Sequence, residues 1–465
     1  LAPSAPTESG LPNGIKAAWA TGAFGVAILM NGIAALMLFY LVKVLKFDPK
    51  VAGFLIFLTK LYDAITDPVT GYLSDRTKAA AGRRRPYLFW GAIVSGVSFV
   101  LVFTVPFIGP FEAVWRGPGL TASVYVLVVL LLYTTGYSMF NVPYMAMPAE
   151  MTDGYHERSS IHAWRVMFAS VGGFLAQSMS GVVLEKLGKD WDAHAAVGGI
   201  GGALILITMW VAYFGTSKAP VLPRTERPAP LGEQLAGLAR NRPFQQILLI
   251  KLVQLLGVSS SAAGLIFYFA SVLGLPLTKL PLVGGPMVLT VLVVSPLLVS
   301  LSKSVGKRGG YMLSAVMTAV AGLSWVLATP EEPDWALALR GVINGVAFAG
   351  NVIFAMSMLT DAMELDFHRT GTRREGMYAA LYSFIEKLAA ALGPLILGFA
   401  LSQAGFDPDS PPKEVTQQVR GAVLLAIAYI PTAMAVLAVT ILAFYRLDER
   451  RLLDIREGRA SVDSV

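Results

Sequence analysis

The sequence predicts an all-α polytopic membrane protein, with about twelve membrane helices in two pseudo-symmetric six-helix bundles. Three observations carry that prediction. The chain is 55% hydrophobic and only 14% charged, with mean hydropathy +0.61, whereas soluble chains carry about a quarter of their residues as charges. Apolar segments of about 20 residues, long enough to cross a bilayer as helix, recur almost end to end. Basic residues collect in alternate loops, and the two halves of the chain repeat a loop pattern.

The net charge of +7 does not signal nucleic acid. The Lys and Arg residues sit between spans, in the positive-inside pattern of membrane proteins, not in a binding stripe. The chain has no cysteine, which excludes disulfides, thiolate metal sites and cysteine nucleophiles. The polar, Pro- and Gly-bearing stretch 1–15 reads as a disordered cytoplasmic tail. It has neither the cationic region nor the apolar core of a signal peptide.

The first span is expected over 18–44, with Gly22, Gly25 and Gly32 allowing close helix approach. The second covers 51–73, the third 88–107 and the fourth 122–147. That fourth span ends in the unusually polar TTGYSMFNVPYMAMPAEM, where Pro143 and Pro148 loosen the backbone. A fifth begins near Ile161 and carries Arg165; the sixth covers 197–214. Residues 216–241 are polar, basic and proline-bearing, and read as a cytoplasmic linker. The first bundle is therefore 16–215 and the second 242–446. Spans of the second are expected near 245–272, 281–301, 310–328, 336–359, 376–402 and 419–445, followed by a cytoplasmic tail over 447–465.

The halves echo each other. YLSDRT…GRRRPYL after the second span matches SLSKSVGKRGGYM after the eighth, each leading to Tyr87 or Tyr311. Loops 74–86, 216–242, 303–308 and 361–375 and the C-terminal tail hold about twenty Lys and Arg, which places both termini in the cytoplasm of a multi-pass cell-membrane protein.

The chemistry concentrates in LYDAITDPVTGYLSDRTKAAAGRRRPYL, residues 61–88. Asp63 and Asp67 lie inside an apolar run, one turn apart and on one helix face. Each charge at bilayer depth costs at least about 2.5–3.5 kcal/mol on insertion scales. One reading is a monovalent-cation site, for Na+ or a proton; the other is an ion-paired helix, with Lys60 three residues before Asp63 as partner. Two adjacent carboxylates in low dielectric cannot both stay ionised without a bound positive charge.

D-x-x-x-D-P at the end of a second helix, then GYLSDRT and GRRRPY, resembles the glycoside–pentoside–hexuronide cation symporters. These are the melibiose-permease-like branch of the major facilitator superfamily. NVPY, NRPF and TGTRREG further along extend the resemblance over nearly the whole chain. It implies the major facilitator fold and alternating-access symport of a small organic solute, with a sugar or glycoside foremost. The coupling ion would be Na+ or H+, no other cofactor is expected, and the transporter is expected to be a monomer. It further implies a cation site at Asp63, Thr66, Asp67 and Ser138, although the family has an amide at the Thr66 position. A metal role for Asp63 and Asp67 follows if the ion is Na+. Lys387 matches the family lysine that couples cation and substrate sites, and is expected to face Asp63 and Asp67. The family's substrate-gripping acids are absent, since Ala27 and Asn141 stand at those positions. A lysophospholipid-like amphiphile is the alternative substrate.

Glu386 and Lys387 are neighbours on a helix and point about 100° apart, so they cannot serve one point. Asn141, Tyr133, Tyr137, Arg165, Lys387, Tyr382 and Ser383 are the candidates for a substrate pocket, with plain packing the alternative for the tyrosines. Arg76, Glu150, Arg158, Asp361 and Arg373 are candidate gating charges, and solvated loops are the competing reading. A membrane-embedded enzyme would need a nucleophile–base or metal set. His156, His162, His194 and His368 are instead scattered without ligand spacing. A channel would need a repeated filter or a pore ring, and none is visible.

Overall fold

A computed structural model describes residues 11–79, 82–104, 119–152, 160–161, 164–176, 191–220, 241–370, 375–409, 415–447, 449–457 and 459. Among these residues the structure is helical and contains no strand. The spans are α1 (Asn13–Phe39, continued as a π-turn over Tyr40–Val44), α2 (Pro49–Arg76), α3 (Arg85–Phe103), α4 (Leu120–Met151), α5 (Trp164–Ala176) and α6 (Trp191–Gly215). In the second half they are α7 (Arg242–Phe267), α8 (Leu277–Leu298), α9 (Ser304–Leu327), α10 (Asp334–Thr370), α11 (Glu375–Gln403) and α12 (Gln417–Ala443). Ten of them are long and apolar enough to cross a bilayer. The other two are the charge-bearing α2 and the short described part of the fifth. The molecule is apolar outside as well as inside. On α8, Leu289, Leu292, Val293 and Leu297 form an exposed stripe at helical spacing, as expected where lipid is the solvent.

Several helices run further than the apolar runs suggest. The tenth, expected to end near 359, continues to Thr370, so 361–370 is helix rather than loop. Its charged end carries its own contact, Glu364 with His368 one turn on. The eighth and ninth are expected to be parted by a loop over 303–308. They run into one another instead, broken only at Gly306, whose φ of 73° favours glycine. Pro143 and Pro148 lie inside α4, which continues through both to Met151. Residues 221–240 of the expected linker lie outside the described residues.

By contact the chain forms two compact units. One comprises residues up to Ile33, Ile65–Trp115 and Leu120–Glu226; the other comprises Ala34–Ala64, Arg116–Gly119 and Arg227–Val465. The first half of α2 thus groups with the second unit.

In the first unit, α3 and α4 interlock through Gly91 and Gly136. A Cβ at Gly91 would stand 2.7 Å from the Phe140 amide nitrogen, and one at Gly136 would stand 2.6 Å from that of Ser95. Trp19 of α1 stacks on Tyr144 of α4 with ring centroids 4.5 Å apart.

In the second unit, Asn241 starts α7. Its side-chain oxygen accepts from the Phe244 amide, and its amide donates to the Ala362 carbonyl and the Tyr378 hydroxyl. Helices α7 and α11 meet where Ser259 donates to the Ala390 carbonyl at 3.1 Å, beside Gly393. The first turns of α2 cross α11 so closely that a Cβ at Gly398 would overlap the Pro49 carbonyl.

Candidate cation and substrate sites

The charged residues of α11 form two rows, because 382 and 386 share one face and 383 and 387 another. Lys387 reaches the buried Asp63 of α2, with its Nζ 3.1 Å from Asp63 Oδ2 and 3.1 Å from the Asp63 carbonyl oxygen. Glu386 points the other way and meets Lys251 of α7, Oε1 to Nζ 3.1 Å. Lys251 is nearly fully buried and also lies 4.8 Å over the Tyr382 ring. The Tyr382 hydroxyl is buried with no hydrogen-bond partner, and Ser383 is half-buried beside it. A buried ion cannot be left alone without a cost of about 3–5 kcal/mol, so each pair holds its own partner in place.

The remaining cation-site candidates lie in the first unit. Thr66 and Ser138 bring their hydroxyl oxygens 3.1 Å apart, joining α2 to α4. Asp67 is the next residue on α2, and its Oδ1 is buried. Hydroxyl and carboxylate oxygens are the hard donors a small cation takes. Among the described residues, no group of three His, Cys, Asp or Glu gathers as a multivalent-metal set.

The substrate candidates divide. Asn141 donates to the Tyr137 hydroxyl at 3.0 Å, both half-buried on one face of α4. Arg165 on α5 is half-buried and its Nε has no partner, so this guanidinium has donor capacity to spare. Tyr133 is different. It is buried and donates to the Leu29 carbonyl at 3.0 Å, so it ties α4 to α1 and packs.

Among the gating candidates, Glu150 receives Arg83 and Arg84, and Asp361 receives Lys307 at 2.7 Å on both oxygens. Arg76 is exposed and lies 3.9 Å over the Tyr72 ring. Arg158 and Arg373 lie outside the described residues. Below Asp361, burial pushes the Tyr445 phenol up, and the Asp361 charge adds to the push.

Sequence reasoning missed Lys251, although a lone lysine in ILLIKLVQLL carries the same signal as aspartates in an apolar run. It also missed a small, mostly apolar cavity in the second unit that two polar pairs border. There Tyr311 donates to Gln254 at 2.7 Å, and the Asn351 amide donates to Thr318 at 2.9 Å.

The profile of the family described as "MFS/sugar transport protein" matches residues 18–449. The chain belongs to that family. It is a member of the major facilitator superfamily's glycoside–pentoside–hexuronide cation symporters. An uncharacterized symporter of Bacillus subtilis, YnaJ, is 26% identical, covering 97% of this chain and 95% of its own. The isoprimeverose transporter of Lactiplantibacillus pentosus is 22% identical, covering 95% and 91%. Among solved structures, a bacterial homologue of the human lysosomal transporter Spinster, inward-facing and unoccupied, superposes with a TM-score of 0.68. It shares 16% identity and covers 96% of this chain and 98% of its own; at that identity the likeness establishes the major facilitator fold. The protein is a multi-pass membrane transporter.

Proposed function

We propose that this transporter couples a monovalent cation, Na+ or H+, to uptake of a small sugar or glycoside by alternating access. The observation that carries the reading is Lys387 seated on the buried Asp63, one helical turn before Asp67. A carboxylate in that environment requires a positive partner, and lysine supplies it while no cation is bound. A cation arriving at Asp63 and Asp67, with Thr66 and Ser138 as further oxygens, replaces the ammonium and frees Lys387. The freed lysine and the neighbouring Ser383 are then available to substrate hydroxyls. Asn141, Tyr137 and Arg165 are the polar side chains of the first unit proposed for substrate binding. Glu150 and Asp361, with their basic partners, serve as gating charges at the cytoplasmic side.

A sugar is favoured because the relative in Lactiplantibacillus pentosus is a transporter of isoprimeverose. The neutral residues Ala27 and Asn141 are the observation that favours the second reading, an amphiphile such as a lysophospholipid.

Reconstituted vesicles test the mechanism. Asp63→Asn combined with Asp67→Asn should keep counterflow exchange of a transported glycoside and lose gradient-driven accumulation. Full uphill uptake by the double variant would remove the cation site from α2. Accumulation of lysophospholipid but of no glycoside would move the substrate to the second reading.

A further inference from the structure

Each unit closes one end with the same device. In the second unit, Lys307 of α9 holds Asp361 near the end of α10, and Arg308 donates to the Ala443 and Tyr445 carbonyls at the end of α12, at 2.8 and 3.2 Å. In the first unit, Arg83 and Arg84 hold Glu150 at the end of α4. Arg85 donates to the Tyr213 carbonyl at the end of α6 at 2.6 Å and lies 4.5 Å over the Tyr213 ring. Glu150 receives two arginines, and Asp361 receives Lys307.

The arginines of the first unit border a recess. Arg83, Arg84, Arg85, Met151 and Ala219 are among its walls together with Glu150, so the arginines leave a surplus of positive charge there; it opens to solvent and its cavity holds about 90 Å³. It sits where α3 begins and α4 and α6 end, which is the level of the lipid headgroups for helices that cross a bilayer. Trp90, in the second turn of α3, is 57% exposed, as tryptophan is at the membrane interface. Guanidinium forks match phosphate oxygens in pairs, and basic pockets between spans on the cytoplasmic side suit anionic headgroups.

We propose that this recess binds the phosphate of an anionic phospholipid headgroup. Phosphatidylglycerol is the probe, and phosphatidylcholine is its zwitterionic control. Lipid retention by the purified full-length protein, read by native mass spectrometry, tests it without any transport measurement and so independently of the symport reading. Phosphatidylglycerol should be retained over phosphatidylcholine. Ala219→Asp adds a negative charge at the recess without removing a contact, and should lower phosphatidylglycerol affinity about fivefold or more, as should Arg83→Gln, at about 1 kcal/mol per charge. Ser304→Asp, beside the corresponding device of the second unit, should leave it unchanged. Thermal unfolding in the same detergent confirms that the variants fold, and Arg83→Lys should restore most of the binding. Equal retention of the two lipids, or no effect of Ala219→Asp, overturns the proposal. If inorganic phosphate at millimolar concentration displaces phosphatidylglycerol and protects the lipid-free protein against unfolding, the recess takes a free phosphate and the lipid assignment is wrong.

Discussion

Lys387→Ala should make cation binding tighter, although it removes a charged residue from the site. Asp63 is 3% exposed and Lys387 14%, and the ammonium contacts both the carboxylate and the carbonyl of Asp63 at 3.1 Å. A hydrogen bond to a charged group contributes about 1.5–3 kcal/mol net. A cation must displace that contact to occupy Asp63, so removing the lysine should raise affinity roughly 10- to 150-fold. Calorimetric titration of the purified protein with sodium reads the effect directly. The same series run against pH at low sodium reads it for protons.

A second readout separates this from a general loss of structure. Without either lysine or cation, the buried carboxylate is uncompensated, at a cost of about 3–5 kcal/mol. The thermal midpoint of Lys387→Ala should therefore fall in sodium-free buffer and rise with sodium more steeply than that of the unaltered protein, by mass action. Asp63→Asn should abolish both dependences. Unchanged or weaker cation binding in Lys387→Ala would refute competition between lysine and cation, and with it the coupling mechanism.

Three further outcomes follow from the second unit. Glu386→Gln should destabilise the fold by about 3–5 kcal/mol, because it strands the buried Lys251. Lys251→Met should cost less, because Glu386 is 42% exposed and can take up water; thermal unfolding of the two variants in one detergent checks the order. Asn241→Ala should cost about 2–4 kcal/mol, since it removes a helix cap and two buried donor contacts. Asn241→Asp should recover the cap alone, a difference that chemical denaturation resolves. Gly398→Ala should cost about 1–3 kcal/mol by driving a methyl into the Pro49 carbonyl, read as a lowered thermal midpoint.

Much of this was legible in the chain, for physical reasons. Span length and the sign of loop charge are set by the bilayer, so the number and order of helices follow from composition along the sequence. Asp63, Asp67 and Lys387 stand out because charge inside an apolar run is costly. That Lys387 meets Asp63 was an expectation from family resemblance, since the two are 324 residues apart and no local pattern links them. Lys251 breaks the same rule as Asp63, yet a lysine in an apolar run reads equally as one that snorkels to the interface; only its burial against Glu386 distinguishes them. Tyr133 and Tyr137 are indistinguishable in sequence. One ties two helices by a backbone hydrogen bond and the other is half-buried beside Asn141, a difference set by which neighbour each face meets. The helical ends of α8, α9 and α10 were hidden because charged residues there look like loop, although helix continues in water wherever its side chains can pair.

The two rows of α11 constrain how the coupling site can move. Residues 386 and 387 point about 100° apart, so rotating α11 to withdraw Lys387 from Asp63 also carries Glu386 past Lys251. Lys251 is 5% exposed and cannot be left alone without a cost comparable to the pairing it would lose. Helices α7 and α11 are also held by the Ser259 hydrogen bond to Ala390 and the close approach at Gly393. Rotation of α11 alone is therefore the expensive path. Withdrawal of the lysine side chain, or joint motion of α7 and α11, leaves the second pair intact. The Lys251–Glu386 pair thus holds α11 in register with α7, and on the proposed mechanism the exchange at Asp63 needs only the Lys387 side chain to move.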